Sequence, residues 1–136
     1  MSSKKKYRAP ASLLQDAGLR PTQQRLALAG WLFDGTHKHV TAEQVYAAAR
    51  KRRISISLAT VYNTLNSFRA AGLLGQVVVD TDHVYFDTNR DVHHHLLDEE
   101  SGKLTDIAPV RVAQIPKLGR RQQLIGVDIV VRIKTV

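Results

Sequence analysis

No cysteine occurs among the 136 residues. That excludes disulfides and every thiolate metal site. Long apolar runs are missing too: stretches such as Leu26 to Phe33 and Val77 to Val79 fall far short of the ~20 residues a membrane helix needs. The basic opening, MSSKKKYRAP, has no apolar run behind it and does not read as a secretory signal. A cytoplasmic protein without a membrane partner is the expectation. Acid is scarce in the first half. Residues 1 to 72 hold Asp16, Asp34 and Glu43 against twelve Lys/Arg, a balance of +9, whereas residues 73 to 136 balance at −1. What is present, 43% hydrophobic residues, is enough for a packed core. The length suits one domain or two small ones. A basic half beside a near-neutral half that holds His83 and the triplet His93, His94 and His95 suggests a polyanion-binding module joined to a sensing or assembly module. A merely solubilising surface would not need such one-sided segregation.

The first half reads as helices. ASLLQDAG (11 to 18) is a short helix ended by Gly18. Thr22 can cap a second helix, with Leu28, Trp31 and Leu32 on one face and Gly35 after its end. Thr41 and Gln44 form a capping box for a third helix with Val45, Ala48 and Ala49 inward, and Arg50 to Arg53 suit its negative end. Ser57 can cap a fourth, over 58 to 71. Val61, Leu65, Phe68 and Gly72 line one face of it. The other face carries Ala59, Asn63, Asn66 and Ser67, flanked by Thr60 and Tyr62, with no acid. Such a surface can enter a major groove, where hydroxyls, amides and a ring meet base edges and thymine methyls. QVVVD (76 to 80) and HVYFD (83 to 87) then read as a hairpin with a two-residue loop, Thr81-Asp82. Helices followed by a hairpin is the order of a winged helix-turn-helix.

The second half is shorter on core. Residues 88 to 92 read as a hinge. HHHLL and KLTDI flank the turn DEESG, with Gly102 suited to positive φ. PKLGRRQQL (116 to 124) is at best a short helix, weakened by Gly119, and VDIVVRIKT (127 to 135) reads as a strand. So small an open sheet buries little by itself and leaves edges uncovered, which predicts a homodimer. The fold class expected is α+β: a winged-helix domain over 1–87, a hinge over 88–92, and a small α/β dimerisation and regulatory domain over 93–136.

Strand alternation puts His93 and His95 on one face and His94 on the other. Pairing Asp98 with Lys103 would place Asp106 opposite His95. Pairing Leu97 with Lys103 would give Asp106 to His94. Asp87 and His39 can reach the same place. Imidazoles with carboxylates suit Fe²⁺ or Mn²⁺, and also Zn²⁺. The plainer alternative is a set of surface histidines, and Asp98, Glu99 and Glu100 read as a solvated turn.

GLRPTQQR, HVTAEQVY, SLATVYNTL, YFDTN, HHHLL and GVDIVVRIK together resemble the ferric uptake regulator family over roughly residues 11 to 135. The triplet without cysteines is most like its iron response regulator branch. The resemblance implies a dimeric transcriptional regulator of iron homeostasis, not an enzyme, that binds an A/T-rich palindromic operator in double-stranded DNA. It implies a regulatory metal at His39, Asp87, His93, His95 and Asp106. Haem is the other cofactor implied, at His93, His94 and His95. Many relatives hold a structural zinc through hairpin cysteines. The matching positions here are Asp98 and Ser101, so no four-cysteine zinc is expected. The DNA contacts implied are Arg20, Arg25, Ser57, Ala59, Thr60, Tyr62 and Asn63. Asn63 stands where many relatives have arginine, which removes a bidentate guanine contact. Three rival readings are a peroxide sensor of the same family, a non-specific basic DNA-coating protein, and a metallohydrolase using His93, His95 and Asp106. The last has no visible general base.

Overall fold

Four side-chain or glycine signals set the helix boundaries in the computed structural model, which describes residues 8–136. Helix α1 (Pro10–Asp16) closes at Gly18, whose φ of 74° is costly for any residue with a Cβ. Helix α2 (Gln23–Leu32) starts where the Thr22 hydroxyl accepts the Arg25 N–H. Helix α3 (Ala42–Lys51) carries the full capping box, with Thr41 and Gln44 each accepting the other's backbone N–H. Helix α4 (Leu58–Ala70) starts where Ser57 accepts the Thr60 N–H. Each cap satisfies a donor the first turn leaves open, worth about 1 kcal/mol.

The chain divides into two compact units at Arg90/Asp91, inside the stretch expected as a hinge. In the first, the apolar faces of α1 to α4 meet. Leu14, Leu32, Val45, Val61, Leu65 and Phe68 are wholly buried, each contributing roughly 1.5–3 kcal/mol of transfer free energy if large. Gly72 is exposed at φ 82°, beyond the end of α4. It stops the helix and contributes nothing to the apolar face it was expected to extend. Strands β1 (His39–Val40), β2 (Gly75–Val78) and β3 (Val84–Asp87) form an antiparallel sheet in the order β1-β3-β2. The two-residue strand β1 is too short to show periodicity. The β3 ladder continues past its end, since the Thr88 N–H donates to the Lys38 carbonyl at 3.0 Å and Thr88 Oγ1 accepts the Lys38 N–H at 2.8 Å.

The hairpin loop differs from expectation. Five residues, 79 to 83, separate β2 from β3, and Val79 donates to the His83 carbonyl, which encloses Asp80, Thr81 and Asp82 instead of Thr81-Asp82 alone. The Asp80 carboxylate explains the longer loop. It accepts the Asp82 N–H at 2.8 Å and meets His83 Nδ1 at 2.7 Å. The His83 hydrogen bond holds the Asp80 carboxyl below the usual range.

In the second unit, β4 (His94–Asp98), β5 (Lys103–Ile107) and β6 (Val130–Ile133) lie in the order β5-β4-β6, with β6 parallel to β4. The strand expected over 127 to 135 is paired only along β4, from His95↔Val130 to Asp98↔Ile133, and so is shorter. No helix forms over 116 to 124. There Gly119 and Gln122 close a local turn on each other, and Leu118 and Leu124 are exposed, so no apolar face is buried that could offset helix nucleation. Of the basic opening, residues 1–7 lie outside the described residues. Among the described residues no helix is long and apolar enough to cross a membrane.

Candidate metal centre and nucleic-acid interface

The β4–β5 register resolves the pairing that the sequence leaves open. Asp98 pairs with Lys103 and His95 with Asp106. His93, just ahead of β4, shares the face of His95, and their Nε2 atoms lie 3.0 Å apart. Asp106 Oδ1 is 3.2 Å from His93 Nε2 and 3.4 Å from His95 Nε2. Ligands about 2.1 Å from one ion lie about 3.0 Å apart at adjacent octahedral corners and about 3.4 Å apart at tetrahedral ones. The three atoms therefore stand at the spacing of one coordination sphere. His93 Nδ1 is 2.5 Å from the Asp91 carbonyl, an acceptor only, so this nitrogen donates and Nε2 is left to present its lone pair. His94 turns the other way. Its Nδ1 accepts the Val110 N–H at 2.5 Å, which ties the hairpin to the segment after β5.

In the first unit, His39 and Asp87 are register partners across β1 and β3, and His39 Nε2 is 3.2 Å from Asp87 Oδ2. Asp87 is 2% exposed. Its other oxygen accepts the Asn89 N–H at 2.8 Å, which orients the carboxylate. Burying such a pair is costly unless a positive charge shares it.

The predicted DNA residues fall into two groups. Arg20, Arg25, Thr60 and Asn63, with Thr22, Gln24, Thr64 and Ser67, line one recess of about 380 Å³ between the start of α2 and the face of α4. Arg25 Nη1 donates to the Arg20 carbonyl at 3.0 Å, which holds the Arg25 side chain against the recess. Ser57 is spent on the cap and on a 2.8 Å hydrogen bond to Thr60 Oγ1. Ala59 is exposed on α4. Tyr62 does not line the recess. Its hydroxyl donates to Glu43 Oε1 on α3 at 2.5 Å. That bond holds the Glu43 carboxyl below its usual range and, with the nearby charge, pushes the Tyr62 phenol up. In the sequence Glu43 reads as an ordinary first-turn acid of α3, favoured by the helix dipole, and nothing local points to Tyr62.

A family model described as "Ferric uptake regulator family" matches residues 16–129. The chain belongs to the ferric uptake regulator family. Family members are metal-responsive transcription regulators, DNA-binding dimers and not enzymes, with a winged-helix domain followed by a dimerisation domain. The peroxide-responsive repressor PerR of Staphylococcus aureus (strain Mu50) is 33% identical over 107 residues, 79% of this chain and 72% of that protein. The ferric uptake regulator of Vibrio cholerae is 25% identical, with a TM-score of 0.74 over 92% of this chain and 98% of its own. The Pseudomonas aeruginosa regulator, solved with manganese, is 24% identical with a TM-score of 0.71 over 94% and 98% of the two chains. The exposed Val110, Val112, Ile115, Leu124 and Ile125 of the second unit fit a family whose members pair through it.

Proposed function

We propose that this family member is a repressor of iron-homeostasis genes whose affinity for an A/T-rich palindromic operator is set by Fe²⁺ or Mn²⁺. The observation that carries the metal reading is the trio His93 Nε2, His95 Nε2 and Asp106 Oδ1 at 3.0–3.4 Å, with His93 held in the ligating tautomer. His39 and Asp87 complete the proposed ligand set. The donor chemistry fits the group: three imidazoles and two carboxylates suit a first-row divalent ion, and no thiolate biases the set toward Zn²⁺. The bound ion would neutralise the carboxylates. Operator contact falls to Thr60, Tyr62 and Asn63 on α4, with Arg20 and Arg25 on phosphates or the minor groove. With Asn63 in place of arginine, adenine is the favoured partner there.

Haem at the triplet is the finer alternative. With Nδ1 accepting from Val110, the hydrogen of neutral His94 sits on Nε2, so His94 would have to give up the Val110 bond to ligate through either nitrogen, which leaves haem to His93 and His95. A peroxide-sensing reading is supported by the PerR relatives. Peroxide-dependent gain of oxygen mass on His39 or His93 would favour it over an iron-level sensor.

The test is fluorescence anisotropy of a labelled A/T-rich palindromic duplex beside a scrambled one, in chelator, in Mn²⁺ and in haem. The proposal expects the palindrome to win and Mn²⁺ to tighten it. Equal binding of both duplexes under every condition would sink it and favour a DNA-coating protein.

A further inference from the structure

Three acids occur in the basic first half, and the structure gives them different partners. Asp16 is paired with Arg8, and Asp34 with Lys38. Glu43 makes no ion pair among the described residues. It is held by a neutral phenol, the hydroxyl of Tyr62, at 2.5 Å. Tyr62 is 39% exposed on the polar face of α4, and Glu43 is exposed beside it at the start of α3. An uncompensated carboxylate on a polyanion-binding face lowers affinity for every DNA sequence. The α3 helix dipole offsets part of that cost, and a further gain is open to Glu43.

The hydrogen bond supplies one. A free tyrosine hydroxyl can donate or accept, so it accepts either kind of base edge. With its proton committed to Glu43, the Tyr62 oxygen has only lone pairs left to present. We propose that Glu43 is a positioning residue for specificity: it fixes the Tyr62 hydroxyl as a pure acceptor, so that Tyr62 selects a base with an exocyclic amine in the major groove, adenine or cytosine, and rejects the carbonyl edges of thymine and guanine. This rests on the proposed reading of Tyr62 as an operator contact.

The geometry distinguishes the roles of charge and of hydrogen bond. Glu43→Gln removes the charge and keeps an oxygen that accepts from Tyr62. Glu43→Ala removes both. Tyr62→Phe removes the reading oxygen.

The experiment selects bound duplexes from a randomised pool with the full-length protein in Mn²⁺ and sequences them, for wild type and the three variants. Thermal melts confirm that each is folded. The expected wild-type result is one position per half-site that favours adenine or cytosine. Glu43→Ala should relax that preference by roughly five- to tenfold, the worth of one hydrogen bond. Tyr62→Phe should relax it equally, while Glu43→Gln should keep it. Both Glu43 variants should bind scrambled duplex more tightly than wild type. If Tyr62→Phe loses the preference and Glu43→Ala keeps it, Glu43 does not position the phenol and the inference fails alone. If Tyr62→Phe changes nothing, Tyr62 is no base reader and the underlying reading of the interface fails with it.

Discussion

Within the histidine triplet, alternation along β4 sends His95 toward His93 and Asp106 and leaves His94 to accept from Val110. Neighbours in sequence therefore have separable roles. His95→Ala should weaken Mn²⁺ binding at least tenfold with little loss of stability. His94→Ala should leave Mn²⁺ affinity within about twofold and lower the melting temperature, because the bond from the Val110 N–H is lost, at a cost of about 1 kcal/mol. Titration calorimetry and thermal melts of the two variants read the split, and equal loss of affinity in both would contradict it. The pairing of His93 with His95 was legible in the sequence, since i and i+2 share a strand face whatever the fold. The partnership of Asp106 was not. Two registers of the hairpin differ by one residue and flip that side chain to the other face. Asp98↔Lys103 in the folded sheet settles it.

At the scale of elements, the caps were the most readable feature. Thr22, Thr41 and Ser57 each act locally, on an N–H three residues ahead. The turn between α2 and β1 shows a local network of another kind. Asp34 accepts from Lys38 Nζ at 2.5 Å, from Thr36 Oγ1 at 2.7 Å and from the Thr36 N–H at 3.0 Å. The Lys38 and Thr36 hydrogen bonds lower its pKa from 3.8 to about 2. A carboxyl depressed on folding binds its proton more readily in the unfolded chain, so its contribution is present above pH 3.8 and lost as pH falls toward 2. Asp34→Asn should therefore lower the urea midpoint at pH 6, with the difference shrinking as pH falls through 2. With the carboxylate 45% exposed, the pH 6 difference is at most about 1 kcal/mol. A difference undiminished at pH 2 would contradict this origin. Elements lacking local signals were the ones missed or given the wrong extent. β1 is only two residues long, β6 is limited by its partner, and the segment 116 to 124 has a helical composition but no surface to pack on.

Across the whole molecule, charge is distributed with a purpose. The basic excess lies in the unit that carries α4, and Arg20 and Arg25 rim the recess beside it. Arg20→Ala should lower the slope of log affinity against log salt by about one for any duplex, measured by anisotropy between roughly 50 and 200 mM salt. An unchanged slope would remove Arg20 from the phosphate contacts. Composition, helix caps, the apolar face Val61–Leu65–Phe68 and the candidate ligands were set by the sequence itself, because charge balance, period 3.6 and period 2 depend only on order along the chain. The β1–β3 pairing of His39 with Asp87, the register that gives Asp106 to His95, and the bond from Tyr62 to Glu43 were decided only by tertiary structure. Each joins residues 11 to 48 positions apart. Contacts at that separation are fixed by how whole elements pack, and no local pattern encodes them.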